Sequence, residues 1–381
     1  MAVGVSSLNK KKILFIVPSL SGGGSERFIY TLAKNISKEK FDVSVYVINS
    51  NNTLYKFQPK DNVRLIEGKI KRVRYSIFEL LKVANKIKPD VIFSTLGYLN
   101  IYLGVFSSFF KNAKLIGRES IVIDMYFNDE RNVKSPKILK FLYNFAYPKL
   151  DLLVCQSQDM YQSFINEKIN LPKTVIINNP INVEEVIALS NLDQENKNFC
   201  FDLITIGRFN YQKGYDRMIE VMDLLVNKNN LKVSLGIIGG GENLAEIEAS
   251  ILAKGLENHI TLLGQQTNPF PYIKNSKLFL LCSRYEGFPN VLLEAGACGK
   301  PVIAFDVPGG INEIVADKRT GHVVENGNIK LMAKTIIESL GRSYNPIDIQ
   351  SITKDKYGIE KIIGEYENSI LKLIKINNSL Y

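Results

Sequence analysis

The chain has few histidines and cysteines and no long apolar run, and these shortages exclude several classes of protein. Its 381 residues include two histidines, four cysteines and no tryptophan. Cys155, Cys200, Cys282 and Cys298 lie far apart without a C-x-x-C pair, so we expect buried free thiols and no metal site. No segment reaches the roughly 18 consecutive apolar residues that a membrane-spanning helix requires.

The first residues also lack the features of a secretory signal. Three lysines precede only a short apolar stretch, which ends at Pro18 and a glycine loop and not at a small-residue cleavage site. We therefore expect a cytoplasmic protein. The content of 45% hydrophobic and 23% charged residues is typical of a soluble globular protein. A chain of this length suggests two domains.

Positive charge is concentrated in the first half of the chain. Residues 1–180 contain 27 lysines and arginines against 14 carboxylates, whereas residues 181–381 contain 21 against 24. Between Lys69 and Lys88, apolar residues recur at helical spacing and lysines occupy the other face. Such a helix lies peripherally on an anionic membrane surface, or packs on a sheet with its charges solvated, and both interpretations stay open. No nucleic-acid recognition motif accompanies the charge, so we expect no nucleic-acid partner.

Short β-branched runs alternate with helical patterns along almost the whole chain. One series ends near "NNPINVEEV", and a second begins with "FDLITIGRF". Continuous apolar strands between helices predict parallel sheets covered on both faces, here in two doubly wound α/β domains. We predict a first domain over residues 1–180 and a second over 181–356. The amphipathic segment from about 357 to 381 is predicted to be a helix that returns to the first domain.

Three consecutive glycines follow a strand in each half of the chain. The first set is Gly22, Gly23 and Gly24, and the second lies in "IIGGGE". Glycine permits close backbone approach, and the start of the following helix favours an anion. However, Arg27 stands where the dinucleotide fingerprint has its third glycine, which disfavours a dehydrogenase. A tight turn without a ligand remains the alternative for each loop.

The second half contains a more specific set of charged residues. Arg208 and Lys213 lie in one loop, where a forked cation and a point cation suit a diphosphate. Glu286 and Glu294 are eight residues apart, with Pro289 at a predicted helix start between them. Just over two helical turns would place Glu294 on roughly the same side as the loop with Glu286. Taken alone, either glutamate could be a surface charge.

In this order, the motifs resemble those of the retaining glycosyltransferases of family 4. The matching segments are "GGGSER", "NNPIN", "GRFNYQKG", "GGGE", "SRYEGFPNVLLEAGACGKPVIA" and "PGGINEIV", which extend over nearly the whole chain. The resemblance implies the GT-B fold, in which two Rossmann-like domains with parallel sheets face each other. It also implies a hexosyltransferase that moves a hexose or N-acetylhexosamine from a nucleoside diphosphate sugar, here a UDP-sugar, to a growing lipid-linked glycan.

Such enzymes act in polysaccharide, O-antigen and lipopolysaccharide assembly. The acceptor side belongs to the first domain in this fold, so its positive charge suggests an acidic or lipid-diphosphate-linked acceptor and peripheral attachment at the inner face of the cell membrane. We expect neither a metal nor another cofactor.

The resemblance also implies roles for individual residues. Arg208 and Lys213 would hold the donor diphosphate, Glu286 would contact hydroxyls of the donor sugar, and Glu294 would accept hydrogen bonds from the ribose. Glu286 would thus position the sugar and would not be a covalent nucleophile. Further residues on the donor side would be Gly287, Phe288, Asn290, Val291, Gly264, and the backbone of Gly22, Gly23 and Gly24 across the cleft.

One departure from the family pattern concerns the first domain. Many members have a histidine in the segment that here reads "KLIGRES", and neither histidine of this chain lies in the first half. Arg118, Glu119 or Ser120 would then act on the donor sugar or the acceptor. Two other functions stay open: a nucleotide-sugar epimerase of the same fold, and a non-catalytic partner subunit of a transferase.

Overall fold

The computed structural model describes residues 10–51, 53–70, 72–128, 135–192 and 200–375. The chain divides into two compact units. The first unit comprises Met1–Asn179 together with Ile362–Tyr381, and the second comprises Pro180–Lys361.

The first unit is built on a seven-stranded sheet. Its strands are β1 (Lys11–Val17), β2 (Phe41–Val47), β3 (Val63–Glu67), β4 (Val91–Thr95), β5 (Lys114–Arg118), β6 (Leu152–Cys155) and β7 (Thr174–Ile176). Their order is β3-β2-β1-β4-β5-β6-β7, and every described pair is parallel. Five consecutive residues of β1, from Ile13 to Val17, are fully buried. Burial of both strand faces is what helices on both sides of a parallel sheet produce.

Helices connect these strands. They are α1 (Gly24–Asn35), α2 (Ile77–Ile87), α3 (Gly97–Val105), α4 (Ile123–Asn128), α5 (Pro136–Ala146) and α6 (Gln158–Asn166). In α2, which lies in the basic segment, Leu80, Ala84 and Ile87 are buried in the core, while Lys82 and Lys86 are exposed. The apolar stripe of α2 is therefore occupied by the protein itself, as in the second interpretation of this segment. Its solvent-facing side carries these lysines together with one exposed aromatic residue, Phe78.

The second unit is built on a six-stranded sheet. Its strands are β8 (Leu203–Arg208), β9 (Leu235–Gly240), β10 (Ile260–Gly264), β11 (Leu278–Leu281), β12 (Val302–Phe305) and β13 (Gly321–Val324). Their order is β10-β9-β8-β11-β12-β13, again parallel throughout the described pairs. The apolar faces of both sheet and helices form one core cluster.

The helices of this unit follow the same alternating pattern. They are α7 (Val183–Ser190), α8 (Tyr215–Asp223), α9 (Leu244–Ala253), α10 (Phe270–Asn275), α11 (Asn290–Ala297), α12 (Ile311–Ile314), α13 (Ile329–Leu340) and α14 (Pro346–Tyr357). Of the four cysteines, Cys200 is exposed and the others are buried, so the expectation of a buried thiol is wrong for Cys200. That residue precedes the first strand of this sheet.

The last helix, α15 (Ile359–Lys375), packs with the first unit from Ile362 onward. The predicted start at Tyr357 is two residues early, because Tyr357 ends α14. In α15, the Tyr366 ring lies 5.2 Å from that of Phe28. Glu367 accepts a hydrogen bond from the Ser37 amide at 2.7 Å. Residues 376–381 of the predicted helix lie outside the described residues.

Candidate active site

The predicted charged residues of the second unit meet at one point of its sheet. Open α/β sheets bind ligands at the carboxyl ends of their strands, where the strand order reverses. Here the order reverses between β8 and β11. Arg208 and Lys213 lie at the end of β8 and in the loop after it, and Glu286 lies in the loop after β11. The sheet topology therefore brings these two distant segments together.

Lys213 and Glu286 form a direct ion pair across this reversal point. The Lys213 Nζ atom lies 2.6 Å from Glu286 Oε1, and the side chains are only 19% and 7% exposed. Ser283 donates a hydrogen bond from its hydroxyl to the same carboxylate oxygen at 2.6 Å. The Glu286 amide donates to the Pro308 carbonyl at 3.0 Å. The carboxylate is thus fixed by groups from two loops and by its own backbone.

The turn that contains Lys213 is constrained at both ends. Asn210 begins it by accepting a hydrogen bond from the Lys213 amide at 3.3 Å. Gly214 ends it with φ of 64°, and a Cβ there would lie 2.2 Å from the Cys282 carbonyl oxygen. Only glycine fits a position that has both a positive φ and a backbone atom in contact. The close approach holds the Lys213 turn directly against the end of β11.

A second set of contacts, which sequence analysis missed, joins the same two loops. The guanidinium of Arg284 lies 3.7 Å from the centre of the Tyr211 ring and makes bidentate hydrogen bonds to Asp216 at 2.9 and 2.6 Å. Gln212 donates a hydrogen bond to the Tyr285 carbonyl at 2.9 Å. A paired arginine has no local signature, because its partners lie 68 or more residues away in sequence. These contacts rigidly position Lys213 and Glu286 relative to each other.

Arg208 differs from Lys213 in having an exposed side chain. It is the last residue of β8, and among the described residues its guanidinium forms no ion pair with a carboxylate. An arginine presents five donors in a planar fork that suits phosphate oxygens. The end of β8 therefore offers one solvent-accessible cation beside one cation already held by a carboxylate.

The other predicted donor-side residues differ in their accessibility. Glu294 lies in α11 and is only 4% exposed. The Phe288 ring packs edge-to-face on Tyr357 at 5.8 Å within the core, so its main contact is with the protein. Val291 packs partly against the same core. Two residues, Gly287 and Asn290, are partly exposed. Gly264 ends β10 with φ of 66° and open space where a Cβ would lie.

The glycines of the second loop are required by the contact between two strands. A Cβ on Gly239 would lie 1.9 Å from the Gly207 carbonyl oxygen, and one on Gly241 would lie 2.6 Å from the Phe209 carbonyl oxygen. Both glycines have φ above 150°. The close approach of the two chain segments thus explains these glycines without a ligand.

The first glycine loop lies at the corresponding reversal point of the seven-stranded sheet, between β1 and β4. Gly22 and Gly23 donate their amides to the Glu26 carboxylate at 3.0 and 2.9 Å, and Ser19 donates its hydroxyl to the same group. Gly24 is the first residue of α1. An anion from the chain itself therefore occupies the amides at which sequence analysis placed a phosphate or an acceptor. A substrate that reaches them must share them with Glu26 or displace it.

Arg118, one of three candidates near the missing histidine, is 1% exposed and serves the fold. Its guanidinium lies 3.6 Å from the centre of the Phe28 ring and donates to the Tyr366 hydroxyl at 3.3 Å. It also donates to the Asn179 side chain. Arg118, at the end of β5, thus contacts Phe28 of α1 and Tyr366 of α15. It also contacts Asn179, the last residue of Met1–Asn179.

Glu119 is fully buried, whereas Ser120 is partly exposed. The Glu119 carboxylate accepts hydrogen bonds from the Tyr147 hydroxyl at 2.5 Å and from the Ser120 amide at 2.9 Å. Burial raises the pKa of Glu119 to about 7, although these bonds oppose the shift. Of the three candidates, Ser120 is therefore the one with side-chain exposure.

The described residues offer neither a metal centre nor a membrane-spanning helix. No group of three or more His, Cys, Asp or Glu side chains within them could hold a metal ion. None of the described helices combines the length and the apolar character needed to cross a bilayer.

Comparison with known proteins agrees with the fold and the motifs. Residues 22–185 match the model named Glycosyltransferase Family 4, and residues 192–344 match that named Glycosyl transferases group 1. Two doubly wound parallel sheets with these matches define a glycosyltransferase enzyme of the GT-B fold. The chain belongs to glycosyltransferase family 4.

Its curated relatives include bacterial enzymes of glycan synthesis. The amylovoran biosynthesis glycosyltransferase AmsD of Erwinia amylovora is 26% identical over 317 residues, which are 82% of this chain and 86% of that protein. The N-acetylgalactosamine-N,N'-diacetylbacillosaminyl-diphospho-undecaprenol 4-alpha-N-acetylgalactosaminyltransferase of Campylobacter jejuni is 28% identical over 345 residues, 86% of this chain and 90% of that protein.

Solved structures share the fold at low identity. HepE of Anabaena, crystallised with UDP and glucose, superposes with a TM-score of 0.75 at 19% identity, covering 95% of this chain and 100% of that one. Sucrose-phosphate synthase of Thermosynechococcus elongatus gives a TM-score of 0.76 at 18% identity, covering 96% and 100%. Likeness at this identity concerns the fold alone.

Proposed function

We propose that this glycosyltransferase moves a hexose or N-acetylhexosamine from a UDP-sugar to a growing, lipid-diphosphate-linked glycan, with retention of anomeric configuration. The observation that carries the proposal is the placement of Arg208, Lys213 and Glu286 at the strand-order reversal of the six-stranded sheet. This is the position at which α/β sheets bind nucleotides.

The chemistry of the leaving group supports the roles of the two cations. As the glycosidic bond breaks, negative charge develops on the departing nucleoside diphosphate. Arg208 and Lys213 would stabilise that charge more strongly in the transition state than in the ground state. Both cations belong to one tight turn and the strand before it, so their backbone positions are fixed before the donor binds.

The contacts of Glu286 support a positioning role. Lys213 and Ser283 already engage one of its carboxylate oxygens, which leaves the other for hydroxyls of the donor sugar. The acceptor hydroxyl would attack the anomeric carbon on the face from which the diphosphate departs. Its proton would pass to a diphosphate oxygen. Retention then requires no covalent intermediate on the protein.

Names of relatives support the choice of donor and acceptor. The Campylobacter jejuni enzyme acts on a diphospho-undecaprenol-linked saccharide, and the HepE structure contains UDP and glucose. The positive charge of the first 180 residues suits a lipid diphosphate. On this side we propose that Ser120 contacts the acceptor or donor sugar, since Arg118 and Glu119 are buried. We also propose that the Glu294 carboxylate accepts hydrogen bonds from the hydroxyls of the nucleotide ribose.

A transfer assay tests the proposal directly. The purified chain would be incubated with UDP-glucose, UDP-galactose, their N-acetyl forms or, for comparison, GDP-mannose, each with a polyprenyl-diphosphate-linked saccharide. Mass spectrometry would detect the extended glycan, and proton NMR would give its anomeric configuration. We expect an α-linked product from one α-configured UDP-sugar. A β-linked product would overturn retention, and activity only with GDP-sugars would overturn the donor.

A further inference from the structure

Helix α5 exposes an apolar face that none of the described parts of the chain covers. Ile138, Phe141 and Phe145 are 63%, 66% and 46% exposed. Their spacing of three and four residues places them on one side of the helix. The Phe141 and Phe145 rings stack at 6.3 Å, so the apolar surface is continuous. These three residues are called the α5 face below.

The opposite side of α5 is packed in the core, so the helix cannot rotate to hide the α5 face. Tyr143 and Ala146 are buried. The Tyr143 ring lies 4.6 Å from that of Tyr147. At Gly104 of α3, a Cβ would lie 2.2 Å from the Ala146 carbonyl oxygen, so the two helices meet backbone to backbone. An exposed apolar patch on a helix whose other side is packed in the core is typical of an interaction surface.

Cations border the α5 face. Lys137 is exposed beside Ile138, and the Lys149 ammonium lies 3.4 Å from the centre of the Phe145 ring. Within the described residues, neither lysine pairs with a carboxylate. An ammonium group on the ring of an exposed phenylalanine places positive charge at the edge of the apolar surface.

A basic cavity of about 310 Å³ continues from Lys149. Its lining includes Lys11, Lys111 and Lys114. Lys11 and Lys114 are paired with aspartates at 3.6 and 2.8 Å, whereas Lys111 is exposed with no carboxylate partner among the described residues. Two cations, Lys111 and Lys149, therefore remain to meet an anion beside the α5 face. An apolar face with adjoining unpaired lysines fits the surface of a bilayer with anionic headgroups.

We propose that the α5 face docks the protein on an anionic lipid membrane, with its phenylalanines at the level of the acyl chains and Lys149 and Lys111 at the headgroup phosphates. This surface replaces the one suggested by the segment from Lys69 to Lys88, because α2 buries its apolar stripe in the core. The choice of a membrane as the occupant rests on the proposed lipid-linked acceptor. Binding to vesicles is measured without donor or acceptor, so its result is separate from that of the transfer assay.

Vesicle co-sedimentation tests the docking surface. Vesicles of phosphatidylglycerol and phosphatidylethanolamine would be compared with vesicles of phosphatidylcholine alone. We expect binding to the anionic vesicles, and a loss of about tenfold in partitioning for each of Phe141→Ser and Phe145→Ser. Lys149→Gln should reduce partitioning about fivefold and weaken its salt dependence.

Phe78→Ser is the matched control, because Phe78 lies on α2 and is 75% exposed. It should bind vesicles like the wild type. Circular dichroism melts would show that all variants are folded. The proposal would be overturned if the wild type did not bind anionic vesicles. It would also be overturned if the double variant Phe141→Ser/Phe145→Ser bound them as strongly as the wild type. A wild-type dimer that this double variant converts to a monomer would overturn it too, since the α5 face would then contact a second copy.

Discussion

Replacing Lys213 by methionine tests whether its ion pair with Glu286 serves transfer or only the fold. The two side chains are 19% and 7% exposed and their charged atoms lie 2.6 Å apart. Removal of one cation that stabilises a developing oxyanion costs about 10²–10³-fold in kcat, or about 3–4 kcal/mol. Lys213→Met should therefore lower kcat for transfer by at least about a hundredfold.

The same substitution leaves a buried carboxylate without its cation. Breaking a buried pair on one side costs about 3–5 kcal/mol of stability. The double variant Lys213→Met/Glu286→Gln removes the uncompensated charge, so its unfolding free energy should return to within about 1–2 kcal/mol of the wild type. Transfer should stay low in the double variant, because the diphosphate still lacks its cation. Stability and catalysis would thus separate.

Lys254→Met is the matched control, because Lys254 forms a 3.2 Å ion pair with Asp223 in the same unit, away from the β8 and β11 loops. It should change stability by less than about 1 kcal/mol and leave transfer unaffected. The assays are steady-state transfer kinetics and thermal unfolding of all four proteins. A Lys213→Met variant that transfers within about twofold of the wild type would refute a stabilising role for this lysine.

Three further predictions concern individual positions. Burial raises the pKa of Glu119 from 4.5 to about 7. The protonated carboxyl therefore contributes its full stabilisation of the fold below pH 4.5, and this stabilisation is lost as the pH rises through about 7. The melting temperature of Glu119→Gln should thus equal that of the wild type near pH 5 and exceed it near pH 8. A difference in melting temperature that does not change with pH would contradict this. Gly214→Ala should destabilise the protein by about 2 kcal/mol or more in urea unfolding, given its contact with Cys282. Gly23→Val should fold normally, since a Cβ at this position would lie 3.4 Å from the nearest atom, Glu26 Oε2. The variant should nevertheless abolish transfer. Transfer at a normal rate would exclude the loop from the site.

The alternation of strands and helices could be predicted from the sequence because each strand is a continuous apolar run. The five buried residues of β1 illustrate this. Because both faces of the strand are buried, every position is apolar and the sequence shows an uninterrupted apolar run. The family motifs likewise predict Arg208, Lys213 and Glu286 as donor-site residues, and this stays a prediction. Their meeting point could not be derived locally, because it depends on β8 lying beside β11.

Other features of the structure depend on which surfaces of each element are covered by the rest of the protein. Hydrophobic periodicity in the sequence does not show which surfaces these are. The segment from Lys69 to Lys88 has the same amphipathic pattern whether its apolar stripe meets a sheet or a membrane. Glu26 follows a glycine loop in sequence, but only the helix start at Gly24 turns its carboxylate back to the loop amides. Glu119 gave no sign of full burial, because glutamate is rarely buried without a partner.

Stabilisation of the fold by UDP is the most direct test of the donor site. The thermal unfolding of the wild type, Lys213→Met and Lys254→Met would be recorded with saturating UDP, GDP, ADP or NAD. A ligand at a hundred times its dissociation constant adds about 2.7 kcal/mol to the native state. We predict that UDP alone stabilises the wild type and Lys254→Met, and that Lys213→Met loses most of this gain. Equal stabilisation of all three proteins by UDP, or stabilisation of the wild type by none of the four nucleotides, would contradict a donor diphosphate site at the ends of β8 and β11.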